Sequence, residues 1–215
     1  MNYLRSFVWR LARSFRLGGV MLQVHPKSYL RRRGWFRSFR MKRSVDLAAN
    51  PVPWWSYGVT DFVESRLRES MRVLEFGAGG STTWLAARTQ RVVAVENDPQ
   101  WAAVVRSFLP ANARVVEKTT PGDLVAEDLS GDSAFEVIIV DALANRIDCA
   151  KAGLPFLVDN GVVIWDNTDG PDWPEIRALM ASHSFREISF SGLAPQEVAE
   201  DRTTIFYRRN NVFDI

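Results

Sequence analysis

Residues 72–98, RVLEFGAGGSTTWLAARTQRVVAVEND, constrain this chain more than any other stretch. Arg72 to Phe76 is a short apolar run carrying Val73 and Leu74. Gly77, Gly79 and Gly80 follow, removing side chains where a backbone must turn sharply and approach a ligand. Ser81 or Thr82 is placed to cap a helix whose buried side would be Trp84, Leu85 and Ala87. Val92 to Val95 reads as a second buried strand. Glu96 stands at its end, about twenty residues past the turn, where an acid can grip ribose hydroxyls. Strand, glycine turn, helix, strand and acid in this order imply a parallel α/β sheet with a nucleoside-bearing cofactor at its carboxyl edge.

The rest of the chain continues the alternation. Residues 58–70 read as a helix with Val59, Phe62, Val63 and Leu67 on one face. Asp98-Pro99 starts another, with Trp101, Val104, Val105 and Phe108 as its apolar side. Strands are expected at Arg114–Glu117, Phe135–Val140 and Gly161–Trp165, with a short helix over 121–128 and a longer one over 145–158. A helix from Pro174 through Met180 precedes two final strands, Phe185–Phe190 and Thr203–Arg208. Four acids thereby fall at strand ends: Glu75, Glu96, Asp141 and Asp166, the last followed by Asn167. In a parallel sheet they share one edge and one crevice.

A dinucleotide site needs glycines at G-x-G-x-x-G spacing, and its pyrophosphate would not welcome Glu75 two residues before Gly77. A cofactor bearing an ammonium group would. The run Glu75-Phe76-Gly77-Ala78-Gly79-Gly80-Ser81 resembles the first motif of the class I S-adenosylmethionine-dependent methyltransferases, an acid, any residue, then G-x-G-x-G, with Ser81 in the third glycine slot. The resemblance covers roughly residues 55–209. It implies a three-layer, Rossmann-like, seven-stranded and mostly parallel sheet closed by an antiparallel hairpin, carried by residues 50–215. Residues 1–49 would be a basic extension.

By the same resemblance, Glu75 and the backbone of Phe76, Gly77, Ala78, Gly79, Ser81 and Thr82 hold the methionine part of S-adenosylmethionine, whose carboxylate can use free N–H groups at the helix start. Glu96 and Asn97 take the ribose, and residues near Glu117 and Thr119 flank the adenine. Asp141 lies close to the methyl-bearing sulfur or the acceptor. Asp141 and Asp166 are the candidates for removing the acceptor's proton or orienting it, ahead of His183. Trp54, Trp55 and Asn167 are candidate acceptor contacts. Asp141 with Asp166-Asn167 also resembles the metal triad of catechol-type O-methyltransferases, so Mg2+ is an alternative addition to the site.

Val140-Asp141-Ala142-Leu143 lacks the pattern of enzymes that methylate amino groups of DNA bases, and no nucleic-acid partner is expected. The P-x-P-W-x-x-Y lead-in at Pro51–Tyr57, the turn Asp166–Asp169 and the loop Ser191–Pro195 are similar to small bacterial methyltransferases with unassigned or glycan-related substrates. The expected reaction is O-methylation of a small-molecule or glycan hydroxyl. The rivals are an aminopropyl transferase of the same fold and a non-catalytic polyanion- or membrane-binding scaffold.

The net charge of +2 conceals two different objects. Residues 1–45 hold twelve Lys and Arg and no acid, whereas the remainder holds fifteen basic and twenty-five acidic residues. Residues 1–17 have Leu4, Phe7, Val8, Leu11 and Phe15 on one helical face and Arg5, Arg13 and Arg16 on another. Such a helix docks on its own domain or lies on an anionic membrane surface. Residues 18–45 read as irregular, broken by Gly18-Gly19, Pro26 and Gly34. One cysteine, Cys149, excludes an intrachain disulfide, and two histidines exclude a Cys/His metal cluster. With no apolar run of about eighteen residues, a cytoplasmic protein is expected, at most peripheral to the inner membrane face.

Overall fold

The computed structural model describes residues 18–132 and 134–215. The helix expected over 1–17 lies outside them. Three short helices open the described chain: α1 (Gly18–Val24), α2 (Tyr29–Arg32) and α3 (Trp35–Met41). This corrects the irregular reading of 18–45. The breakers separate helices here; they do not prevent them. Ser28 caps α2 by accepting the Arg31 N–H. Gly34, at φ 80°, turns the chain between α2 and α3, and a Cβ there would lie 2.5 Å from the Asp46 carbonyl carbon. The segment is seated on the rest of the molecule. Val45 is buried and bridges to Pro51, and buried Ser38 bonds the Val45 backbone in both directions.

Beyond it come α4 (Tyr57–Glu64), β1 (Arg72–Phe76), α5 (Gly80–Ala86), β2 (Arg91–Glu96), α6 (Pro99–Arg106), β3 (Ala113–Glu117), β4 (Phe135–Val140), α7 (Arg146–Gly153), β5 (Leu157–Trp165), α8 (Trp173–Ser182), β6 (Arg186–Leu193) and β7 (Glu200–Tyr207). The strands form one sheet in the order β3-β2-β1-β4-β5-β7-β6. Strands β1 to β5 are parallel, and β7 runs antiparallel to both β5 and β6. The expected sheet and closing hairpin are therefore present.

Both faces of the sheet are covered, which is why its strands are nearly continuous apolar runs. Leu74, Phe76, Val95, Ile138, Val140 and Trp165 pack with Cys149 and Ala150 of α7 and Ile176 and Met180 of α8. Val73, Val137, Ile139, Ile164 and Ile205 pack on the other face with Val59 and Val63 of α4 and Trp84 and Leu85 of α5. In α5 it is Ala86 that is buried, while Ala87 faces solvent.

Two further boundaries differ from expectation. The residues over 121–128 form two 3-10 turns, Pro121–Asp123 and Ala126–Leu129. Helix α7 stops at Gly153, because Pro155 cannot continue it and Leu157 already pairs with Phe135 at the start of β5. The parallel register brings the ends of β1, β2, β4 and β5 to one edge, where Phe76 stands opposite Val95 and Val140, and Val140 opposite Trp165.

Candidate active site

The glycine turn is fixed by its neighbours. Gly77 has φ 99° and donates its N–H to Val95 O at 2.8 Å. A Cβ on it would sit 2.6 Å from Asp141 O, so a tight left-handed crossing between β1 and β4 requires glycine here. Gly79 is different. Its backbone is extended, and a Cβ would meet nothing within 4 Å, so the turn opens onto free space.

Glu75 lies beneath this turn and is fully buried. Thr82 Oγ1 donates to its Oε2 at 2.6 Å and accepts the Gly79 N–H at 2.9 Å. The Thr82 hydroxyl is thus committed within the protein, and Thr82 helps the cofactor site by holding Glu75 and the turn. Glu75 Oε1 is buried with no hydrogen-bond partner among the described residues. Burial raises the Glu75 carboxyl to about 8, against the pull of the Ser81 and Thr82 hydroxyls, with Asp141 and Glu96 adding to the rise. An unpaired acid oxygen beside an open glycine turn fits the ammonium group of S-adenosylmethionine.

Glu96 ends β2, where its Oε2 accepts the Ala78 N–H at 3.1 Å and its Oε1 accepts the Asn97 and Asp98 N–H groups at 2.8 and 3.0 Å. It braces the turn and retains acceptor capacity on Oε2. The Trp101 indole, read from sequence only as part of an apolar helix face, donates to Ala78 O at 2.7 Å. Glu117 is engaged by Arg106 and Thr119 is exposed.

Asp141 stands where β4 ends, with its N–H on Phe76 O at 2.9 Å. Its carboxylate is about a quarter exposed. Trp55 Nε1 donates to its Oδ2 at 3.3 Å, and Arg146 Nη2 lies 3.6 Å from Oδ1. Burial raises this carboxyl to about 6, Arg146 and Trp55 pull it down, and Asp201 pushes it up. Trp55 itself is fully buried, so its part is to hold Asp141; it is no acceptor wall. Its neighbour Trp54 is 46% exposed and faces Asn167 across a cleft. His183 caps the far end of α8 and takes no part.

Arg146 was not singled out from the sequence, yet it sits at the centre. Its Nε donates to Ala142 O at 2.5 Å, Nη1 to Asp166 O at 2.7 Å and Nη2 to Asn167 Oδ1 at 2.6 Å. This arrangement gives no support to the Mg2+ triad of Asp141, Asp166 and Asn167. A guanidinium already bonds the Asn167 oxygen and pairs with Asp141. Asp166, 3% exposed, points its Oδ1 at Thr203 Oγ1, 2.5 Å away. Burial, then Asp141 and Asp201, hold the Asp166 carboxyl well above its usual range, which favours the protonated form. Asp166 is therefore a buried support beneath Asp141.

Asn167, at φ 54°, donates its Nδ2 to Asp201 Oδ1 at 2.9 Å. Asp201, absent from the sequence-based site, is raised by burial first. It lines a cleft of about 270 Å³ with Trp54, Asn167, Asp169, Glu197 and Glu200. A larger hollow of about 440 Å³ lies between α8 and the start of β6, at the opposite end of the strands and away from all of these acids.

Comparison with known proteins agrees with this fold. A family model described as a methyltransferase domain matches residues 74–168, a little under half of the chain. No curated protein matches the sequence. Among solved structures, the O-methyltransferase TomG from Streptomyces achromogenes, in complex with S-adenosylmethionine, is 22% identical with a TM-score of 0.57, over 68% of this chain and 77% of that one. A putative caffeoyl-CoA O-methyltransferase from Staphylococcus aureus is 14% identical with a TM-score of 0.56, over 92% and 99% of the two chains. A TehB-like S-adenosylmethionine-dependent methyltransferase from Corynebacterium glutamicum is 15% identical with a TM-score of 0.56, over 82% and 97%. At these identities the likeness is one of fold. The matched stretch runs from β1 through the turn after β5 and contains the glycine turn, Glu96, Asp141, Arg146 and Asp166. The chain thus carries a stretch that matches a methyltransferase domain, on a fold shared with S-adenosylmethionine-dependent methyltransferases.

Proposed function

We propose that this enzyme methylates a hydroxyl of a small molecule or glycan seated beside Asp141. The observation that carries the reading is the position of Asp141. It touches the glycine turn through its backbone and shares Arg146 with Asn167, at the wall of the acceptor cleft. When bound, S-adenosylmethionine supplies an electrophilic methyl group on a sulfonium. The protein's share is alignment, exclusion of water and management of one proton. Glu75 Oε1 holds the ammonium of the methionine part, and Glu96 holds a ribose hydroxyl. Asp141 orients the acceptor hydroxyl and accepts its proton, and Trp55 and Arg146 fix the carboxylate. No step is assigned to a metal ion, because Arg146 fills the place among the oxygen donors.

Calorimetric titration with S-adenosylmethionine of the wild type and of Gly79→Arg tests the cofactor site. The wild type should bind saturably. The variant should lose at least about 100-fold in affinity, since steric exclusion from a site of this kind removes most of the contacts. It should also keep its fold, because Gly79 is extended and faces open space. Wild type without affinity would end the reading. Product mass separates the aminopropyl rival, because it shows whether a methyl or an aminopropyl group was added.

We also assign residues 1–45 to contact with an anionic membrane surface. No helix among the described residues is long and apolar enough to cross a membrane. Val20, Leu22, Val24, Tyr29 and Phe39 are nevertheless exposed beside exposed Arg31, Arg32, Arg40, Lys42 and Arg43. Each basic residue near such a surface contributes about 1 kcal/mol. The triple change Arg31→Glu, Arg32→Glu, Arg40→Glu should lower co-sedimentation with phosphatidylserine vesicles on the order of 100-fold. Equal sedimentation of both proteins, or equal binding to neutral vesicles, would remove the assignment.

A further inference from the structure

The cleft beside Asp141 has a lining that the transfer step does not use. It is lined by the exposed Trp54 together with four acids, Asp169, Glu197, Glu200 and Asp201. No Lys, Arg or His lines it, and among the described residues none of these four acids belongs to an ion pair. Asp201 is 8% exposed. Its Oδ1 is taken by Asn167, and its Oδ2 is buried with no partner among the described residues. A buried carboxylate oxygen without a donor is costly, so the site gains from a ligand that brings one.

The lining is held in place. The hairpin register sets Glu200 opposite Leu193 and Asp201 opposite Gly192. Thr168 N–H bonds Arg202 O at 2.8 Å, tying the turn after β5 to β7. On the far wall, the Trp35 indole donates to Glu197 O at 2.8 Å, so α3 of the N-terminal segment fixes that loop. Asn167 joins the cleft to the transfer site, with one end on Asp201 and the other on Arg146 beside Asp141.

A cleft that combines an exposed indole with uncompensated acids selects a cation. We infer that the cleft is a cation subsite and that the methyl acceptor carries an ammonium or guanidinium group, held between the Trp54 indole and the carboxylates of Asp201 and Glu200. This inference rests on the proposed transfer at Asp141. It narrows the acceptor to an amine-bearing hydroxyl compound, such as an amino sugar or an amino alcohol. An anionic acceptor would meet four acids, and a neutral one would leave their charge uncompensated.

The test uses full-length protein saturated with S-adenosylmethionine and reads the indole N–H signal of Trp54 by nitrogen-15 NMR, assigned through Trp54→Phe. Glucosamine and spermidine should shift this signal saturably. N-acetylglucosamine, which has the same ring without the charge, and glucuronate should not. Glu200→Gln and Asp201→Asn should each weaken glucosamine binding by about tenfold or more, as expected for loss of a charge-assisted contact. Cofactor affinity should stay unchanged in both variants. The inference fails if no cationic probe moves Trp54, if N-acetylglucosamine moves it equally, or if both variants bind glucosamine like wild type. It also fails if Ca2+ titrates these residues while glucosamine does not. Cation binding without cofactor binding would sink the transferase reading and leave the subsite standing. Cofactor binding without any cation response would do the reverse.

Discussion

Replacing Glu75 with glutamine should abolish cofactor binding and, at the same time, make the cofactor-free protein more stable above pH 5. Both effects come from one buried carboxyl. Burial raises it to about 8, from an ordinary value near 4.5. Its folded value lies above its unfolded one, so the stability it contributes is complete below about pH 4.5 and is lost as pH rises through about 8. The loss runs at about 1.4 kcal/mol per pH unit inside that window. Glutamine does not titrate. Its oxygen can keep the Thr82 hydroxyl bond, and its amide nitrogen falls where Oε1 has no partner. Urea midpoints of the two proteins should therefore coincide near pH 4.5. By pH 8 the variant should lead by roughly 4 kcal/mol.

Binding should show the opposite preference. A cofactor ammonium placed against Oε1 stabilises the carboxylate form, which the variant cannot adopt, so its affinity should drop by at least about 100-fold. Between pH 5 and 8, the wild type should release a proton on binding. Titrations in two buffers of different ionisation enthalpy would show that release as a difference in apparent heat, and the variant should show none. Equal cofactor affinity in both proteins would remove Glu75 from the site.

The placement of Glu75 beneath the glycine turn was legible in the sequence because its setting is local. A five-residue apolar strand, three glycines and a helix lie within one continuous run, and a sheet covered on both faces leaves no ambiguity about which residues are strands. Glu96 and Asp141 were legible for the same reason, each directly following such a run. Arg146 was not. In sequence it is one more basic residue at a helix start. Its importance arises because β4 and β5 are adjacent parallel strands, which brings Ala142, Asp166 and Asn167 around one guanidinium from positions up to 21 residues away. The only local signal is its position four residues beyond Ala142.

Glu200 and Asp201 were hidden by register. The last strand begins at Glu200, three residues before its expected start at Thr203, because pairing with β6 extends it. The neighbours Trp54 and Trp55 could not be separated by type. In an extended connector successive side chains point to opposite sides, which leaves one exposed and one fully buried. Residues 18–45 show the limit of breaker residues as signals. Gly34 does interrupt a helix, but a second helix begins directly beyond it.

The centre of the site leads to a second large effect, in the pH dependence of turnover. If Asp141 accepts the acceptor's proton, kcat/KM should fall on the acid side with a midpoint near 6, where burial has raised this carboxyl and Arg146 and Trp55 limit the rise. Arg146→Met removes the cation that lowers Asp141 and leaves the repulsion from Asp201 unopposed on that side. The charged form of Asp141 is then less favoured, so its value must move further up. The acid limb should shift to higher pH by about one to two units, with a lower plateau. Arg146→Lys separates charge from shape. A lysine retains the positive charge but cannot reach Ala142 O, Asp166 O and Asn167 Oδ1 together, as the planar guanidinium does. Its acid limb should stay near 6 while kcat falls on the order of 100-fold, because the carboxylate and the cleft wall lose their common anchor. Asp141→Asn should abolish the limb itself. A chelator should leave wild-type turnover unchanged, since Arg146 already compensates the oxygen donors that a divalent ion would need. A limb unaffected by Arg146→Met would take the proton-accepting role away from Asp141, and loss of turnover on chelation would show that Arg146 does not fill the cation's place.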